Sequence, residues 1–242
     1  LYDYWSEEQK EFLADKIYQY GLVPAYEAYY GNLGSYGWWT PGNHTNWNVV
    51  CNGGILMGAV AVFEQHPEMC SDMIAMQVRD VETMMNSFYP DGAWFEGISY
   101  WEYTLSYTVN MLSTLKACFG TDFNLSATPG LARTIYFHMA GDGSCGLNNF
   151  HDTHVTHGSV NTYFWLSDQY HLPGVTNVRL NHFAKGIVKP TAFDLLWYDT
   201  GIKGTDFEMD PDTYIKGVEL VSMRYSWIDD NGAFLSYHGG IA

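Results

Sequence analysis

Two segments of the chain hold more functional polar groups than packing alone requires. The first runs from Tyr89 to Tyr107 and reads Tyr-Pro-Asp-Gly-Ala-Trp-Phe-Glu-Gly-Ile-Ser-Tyr-Trp-Glu-Tyr-Thr-Leu-Ser-Tyr. Within it Tyr100, Tyr103 and Tyr107 fall at i, i+3 and i+7, which is one face of a helix. A tyrosine stripe of this kind ordinarily packs as half-buried core, and that reading suits Tyr103 and Tyr107. Tyr100 lies at the start of the expected helix, where the positive end of the macrodipole helps stabilise a phenolate, and it is the candidate for proton transfer. Asp91 and Glu96 offer a different chemistry, the paired acid and base of a glycoside hydrolase. Their plainer roles are a turn former and a first-turn acid.

The second segment is Trp38-Trp39-Thr40-Pro41-Gly42-Asn43-His44-Thr45-Asn46-Trp47-Asn48. Aromatic faces such as Trp39 and Trp47 stack on sugar rings, and Asn43, His44 and Asn46 can donate hydrogen bonds to carboxylates or hydroxyls. The packing alternative makes Thr45 or Asn46 a helix N-cap and the tryptophans core. A third cluster, Asn148 to His157, carries His151, Asp152, His154 and His157. Imidazole and carboxylate are common zinc ligands, but this spacing fits no zinc motif, so substrate contact by His151 and Asp152 competes with a simple hydrogen-bonded loop. Arg224 and Arg133 are the basic candidates for carboxylate binding, beside the plainer role of pairing on the surface.

Long helices must position these groups. Ser6-Glu7-Glu8-Gln9 is a capping-box pattern opening a helix that runs to about Gly31 and is disturbed at Pro24. After a Gly- and Asn-rich loop, the apolar stretch Trp47 to Gln65 predicts an inner helix and Cys70 to Phe88 an amphipathic one, ended by the turn residues Tyr89-Pro90-Asp91-Gly92. Further helices are expected over Ile98 to Phe119 and at about 125–140, 158–171, 176–186 and 191–198. After Gly204 the character changes. Tyr214 to Tyr225 and Ala233 to Tyr237 are strand-like runs, with Asp229-Asp230-Asn231-Gly232 between them resembling a hairpin turn. The sheet is expected to continue beyond residue 242, because a strand edge left unpaired is unfavourable.

Asn43-His44-Thr45-Asn46-Trp47-Asn48, followed by Asp91-Gly92-x-x-x-Glu96-Gly97-x-x-Tyr100-Trp101-x-Tyr103, resembles the paired signature of the heparinase II/III and alginate lyase family of polysaccharide lyases. Weaker likenesses at Leu1 to Phe12 and at Val221 to Gly240 extend the resemblance over nearly the whole chain. It implies a mainly α fold: an incomplete (α/α) toroid of helical hairpins over residues 1–203, then the first strands of an antiparallel β-sandwich over 204–242. It also implies catalysis by Tyr100, with Asn43, His44 or Asn46 neutralising the carboxylate of a uronate. Substrate contacts would come from Trp47, Trp39, Glu96, Tyr103, His151, Asp152 and Arg224. A uronate C5 proton is hard to remove until the adjacent carboxylate is neutralised, and a phenol can then protonate the departing O4 oxygen. No metal or organic cofactor is obligatory in that elimination. In the family a second catalytic side chain and metal ligands follow the Gly-Gly stretch, past the last residue of this sequence, so this segment alone is expected to lack part of the catalytic set. The resemblance implies a secreted or periplasmic location and an acidic polysaccharide or oligosaccharide partner.

Composition narrows the classes. At 242 residues, 47% hydrophobic and only 16% charged, the chain can bury a large core. The longest apolar stretch, Gly53 to Phe63, is about half of the roughly 20 residues needed to cross a bilayer, so no membrane span is expected. The four cysteines, Cys51, Cys70, Cys118 and Cys145, show no metal-ligand spacing and read as small buried hydrophobes. A net charge of -16 repels phosphate backbones, which argues against nucleic acid. The same charge opposes an acidic glycan unless the cleft is locally positive. A non-catalytic glycan-binding protein that keeps the aromatic cleft is therefore the second class, beside the hydrolase.

Overall fold

The computed structural model describes residues 2–40, 42–143, 146–156, 160–227 and 231–239. Helix makes up 57% and strand 8%, so the chain is mainly helical, with its strands in small antiparallel sheets. It divides into two compact units, Leu1–Met84 with Asn110–Leu125, and Met85–Val109 with Ser126–Ala242. The expected boundary at 203/204 falls inside the second.

In the first unit, α1 (Glu7–Lys16) begins with the expected capping box. The Gln9 N–H donates to Ser6 Oγ at 3.2 Å and the Ser6 N–H to Gln9 Oε1 at 2.9 Å. The helix widens into a π turn over Ile17–Leu22 and resumes as α2 (Val23–Tyr29). The irregularity thus precedes Pro24. A proline has no N–H for the carbonyl one turn earlier and its ring crowds that carbonyl, and the wider turn, closed by the Val23 N–H on Tyr18 O, makes room. Two further helices, α3 (Asn46–Ala61) and α4 (Pro67–Met85), match the expected inner and amphipathic helices, burying Val49, Leu56 and Ala59 from one and Met73, Val81 and Met84 from the other.

A polar chain runs through this core. The Tyr29 hydroxyl donates to Asn52 Oδ1, Asn52 Nδ2 to Asn48 Oδ1 at 3.3 Å, and Asn48 Nδ2 to Asp80 O at 3.4 Å. Burial, with Asp80 beside it, pushes the Tyr29 phenol well above its ordinary range. Burial also raises the Asp80 carboxyl, against the opposing pull of Tyr29. Of the cysteines, Cys70 is buried and Cys51 half-buried, its thiol pushed up to about 11 by burial, but Cys118 is exposed rather than a core residue. Cys145 lies outside the described residues.

The helix α5 (Ile98–Phe119) gives its first half to the second unit and the rest to the first. The second unit continues with α6 (Thr134–Gly141), the short antiparallel pair β1 (Asp142–Gly143) and β2 (Gly146–Leu147), and helices α7 (Tyr163–Gln169), α8 (Pro173–Ala184) and α9 (Ala192–Trp197). The expected helix at 125–140 is shorter, preceded by two 3-10 turns. The interruption is at Gly130, whose φ of +95° and approach to the Phe88 carbonyl leave no room for a side chain. The helix expected over 158–171 is confined to α7, and His157, Gly158 and Ser159 lie outside the described residues. Arg179 on α8 and Asp194 on α9 form a buried two-pronged ion pair at 2.8 and 3.0 Å.

The run Tyr214 to Tyr225 is not one strand but parts of two, β3 (Asp212–Ile215) and β4 (Leu220–Arg224), antiparallel with Ile215 opposite Leu220. The Asp91 carboxylate explains the break. It accepts the N–H groups of Lys216 at 2.6 Å and Gly217 at 3.1 Å, withdrawing both from any ladder, and Glu219 completes the turn at φ +51°. β5 (Phe234–His238) pairs antiparallel with β4, Arg224 opposite Phe234. Asp229 and Asp230 of the expected hairpin turn lie outside the described residues. Among the described residues, no helix is long and apolar enough to cross a membrane.

Candidate active site

The first turn of α5 carries Tyr100, and a segment more than fifty positions later is stitched onto it. A helix start leaves its first amides without intrahelical partners. The Ile98 N–H is met by Thr153 Oγ1 at 2.8 Å, and in return the His154 N–H donates to Ser99 Oγ at 2.9 Å. Gly97 permits the approach. Its φ is +93°, and a Cβ there would lie 2.5 Å from Thr153 Oγ1 and 2.8 Å from Phe150 O. Between the two segments is an open cleft of about 690 Å³, lined among others by Tyr100, Glu102, Tyr103, His151, Asp152 and His154.

Tyr100 is half-buried, whereas Tyr103, His151, Asp152 and His154 are exposed. Tyr103 packs edge-on against Tyr107 with centroids 5.2 Å apart, so the expected stripe continues from the cleft along the helix. His151 adopts a φ of +49° and its ring stands 5.4 Å from that of His238 on β5, which is itself stacked on Phe150 at 4.5 Å. Burial, with His151 adding to it, lowers the pKa of His238 below its ordinary value. Two proton-carrying side-chain types, phenol and imidazole, therefore line one cleft.

Behind the cleft wall Glu102, His138 and Tyr163 lie in a row. Glu102 Oε1 is enclosed 3.6 Å from His138 Nε2, too far for a hydrogen bond but close enough for electrostatic attraction. His138 Nδ1 is 2.9 Å from the Tyr163 hydroxyl, and the His138 ring stacks on Trp101 at 5.0 Å. Burial, with Asp142 and Glu102 nearby, pushes the Tyr163 phenol well above its ordinary range. The phenol therefore stays protonated, and which of the two partners donates in its hydrogen bond with Nδ1 is set by the imidazole tautomer.

Several expected site residues have other occupations. Glu96 Oε2 accepts the buried Trp94 indole N–H at 3.0 Å, and Glu96 does not line the cleft. Asp91 is committed to the β3–β4 turn, so the Asp91–Glu96 acid–base pair loses a member. Arg224 lines a different cleft. Its guanidinium donates to Met139 O and Asp142 O, both at 2.8 Å, and lies 3.5 Å from the Trp227 ring centroid, which makes it a pin between β4 and the end of α6. Burial lowers its pKa, with Asp142 opposing. Arg133 is exposed and stacks over Tyr136 at 5.4 Å.

The amide-rich loop belongs to the first unit. Asn43 Oδ1 accepts the Thr45 N–H at 2.8 Å and its hydroxyl at 2.7 Å, so Asn43 braces the loop, and Thr45 occupies the N-cap position of α3 without a side-chain cap. Asn46 is buried and His44 exposed. Trp39, expected on a sugar ring, is instead core, edge-on to Tyr29 at 5.3 Å. Trp47 is 45% exposed and meets the exposed Trp38 edge-on at 5.4 Å, leaving this pair as the aromatic surface of the loop.

The sequence reading missed Glu102, His138, Tyr163 and His238. A lone histidine in the apolar run Thr-Ile-Tyr-Phe-His-Met-Ala-Gly was the one sign in the sequence of the buried His138–Tyr163 pair. Among the described residues, no group of three or more His, Cys, Asp or Glu side chains is arranged to hold a metal ion, and His157 of the histidine cluster lies outside them. No protein-family model matches the chain, and no curated protein matches it.

Proposed function

We propose that this chain is part of a polysaccharide lyase that cleaves a uronate-containing glycan by β-elimination, with Tyr100 transferring the proton. The observation that carries the reading is the placement of the Tyr100 phenol on the first turn of α5, on the wall of a cleft it shares with His151 and His154. In β-elimination a base takes the uronate C5 proton, the C5–H electron pair becomes the C4–C5 double bond, and the C4–O4 bond breaks with protonation of O4. As phenolate Tyr100 takes the C5 proton, and as phenol it protonates O4. Neutralisation of the uronate carboxylate is assigned to Asn43, His44 and Asn46 from the resemblance to heparinase II/III and alginate lyases, as is the secreted or periplasmic location. In the same reading the helices are arcs of an (α/α) toroid and β3 to β5 the first strands of a β-sandwich.

The test is ultraviolet absorbance of the unsaturated uronate, with the full-length protein on a panel of uronate-containing polysaccharides, beside Tyr100→Phe. A rise in absorbance that falls by about 10²- to 10⁴-fold in the variant is expected. Reducing ends released without absorbance would replace the lyase with a hydrolase. Neither signal, with oligosaccharide binding retained, would make the protein a glycan-binding one.

A further inference from the structure

We propose that His151 and His238 form a pH-sensitive latch that holds residues 148–154 against β5 and thereby keeps the wall of the Tyr100 cleft in place. The latch acts on the wall itself, whichever ligand the cleft takes.

The segment is fastened at both ends. At one end Thr153 Oγ1 accepts the Ile98 N–H at 2.8 Å and the His154 N–H donates to Ser99 Oγ at 2.9 Å, which ties it to the start of α5. At the other, Asn148 Nδ2 donates to Ser236 Oγ, and the Phe150 ring lies flat on His238 with centroids 4.5 Å apart and planes 8° from parallel, which ties it to β5. His151 stands between the two ends. Its ring meets His238 edge-on at 5.4 Å, it lines the cleft, and its φ of +49° is a conformation that the backbone leaves readily once the side chain loses its place. A hold made of so few contacts opens locally at small cost, so one added charge can decide it.

Two neutral imidazoles at this distance tolerate each other, whereas two imidazolium ions repel. Burial first, and His151 second, oppose the charged form of His238, and an opened segment returns that ring to water. The open state therefore takes up the proton more readily. The latch is at full strength above the ordinary histidine value of 6.5 and weakens as pH falls below it toward the closed-state value. Other titratable groups on the segment and the elements packed against it are Asp152 and His154, Tyr100, Glu102 and Tyr103 on α5, His138 on α6, bonded to Tyr163, and Glu219 beside β5, whose carboxylate accepts the Tyr214 hydroxyl. Phe150 acts in the opposite direction, because its face attracts an imidazolium.

Amide hydrogen exchange of the full-length protein at about pH 7.5 and about pH 5.5, corrected for the intrinsic rates, tests this. The Ile98 and His154 N–H groups report the wall, and the Leu166 N–H, bonded to Thr162 O at 2.9 Å in α7, reports the fold. In the parent, protection of Ile98 and His154 is expected to drop several-fold in acid while Leu166 stays protected. His238→Phe keeps a ring on Phe150 and cannot titrate, so it should abolish the drop. His151→Asn keeps the backbone conformation and removes one of the two opposing influences, so it should shrink the drop. An unchanged thermal unfolding curve at neutral pH shows that each variant is folded. Protection that is equal at both pH values, or that rises in acid as Phe150 alone would have it, overturns the proposal. So does a drop shared by Leu166, or one that neither variant diminishes.

Discussion

His151 sits at φ +49°, a backbone region that suits asparagine far better than most residues, and it faces His238 with ring centroids 5.4 Å apart. Because burial, reinforced by His151, lowers the pKa of His238, the folded protein binds that proton less readily than the unfolded chain does. The stabilising contribution is therefore complete above the ordinary histidine value of 6.5 and is lost as pH falls below it toward the folded value. An NMR titration should give His238 a midpoint under 6.5, and His151→Asn, which keeps the backbone conformation, should raise that midpoint part of the way back. An unmoved midpoint would mean that the two rings do not sense each other. At this scale the sequence was informative where one residue's chemistry is local. The position of Tyr100 on the first turn of α5 was legible from its place beside Gly97 and the helix start. The proximity of Glu102 to His138 was not, because it arises only from the packing of α6 on α5.

At the scale of elements, the site depends on one splice, the joining of residues 150–154 to the start of α5. Gly97→Ala tests that dependence. A methyl there would meet Thr153 Oγ1 and the Phe150 carbonyl at distances no side chain tolerates, on a backbone already at positive φ, so the segment must move. The expected result is a loss of about 1–3 kcal/mol of stability together with weakened oligosaccharide binding. Unchanged binding and melting would show that the splice is not needed to form the cleft. Helix positions were readable because their signals are local, as in the Ser6–Gln9 capping box and the turn residues before Ile98. The splice was not, since nothing in Phe-His-Asp-Thr-His announces a partner 55 residues earlier. The division of Tyr214 to Tyr225 into β3 and β4 was hidden for the same reason: the carboxylate that turns the chain there is Asp91, 125 residues away.

For the molecule as a whole, the governing quantity is charge. With 11 basic against 27 acidic side chains and a net charge of -16, the protein approaches any uronate oligosaccharide against its own long-range field. The screening length is about 30 Å at 0.01 M salt and about 8 Å at 0.15 M, so added salt removes much of that repulsion before the partners touch. Association of an acidic oligosaccharide should therefore quicken several-fold across this range, the reverse of what a basic glycan-binding surface shows, while a neutral oligosaccharide of the same length should be nearly indifferent. Stopped-flow tryptophan fluorescence measures both rates directly. Glu102 and Asp152 line the cleft, so if it holds the oligosaccharide their carboxylates act at contact distance and bear on the dissociation rate, changing less with salt. An association rate that falls as salt rises would mean that the field at the cleft mouth is positive despite the net charge. Basic groups other than His151 and His154 would then have to meet an acidic oligosaccharide.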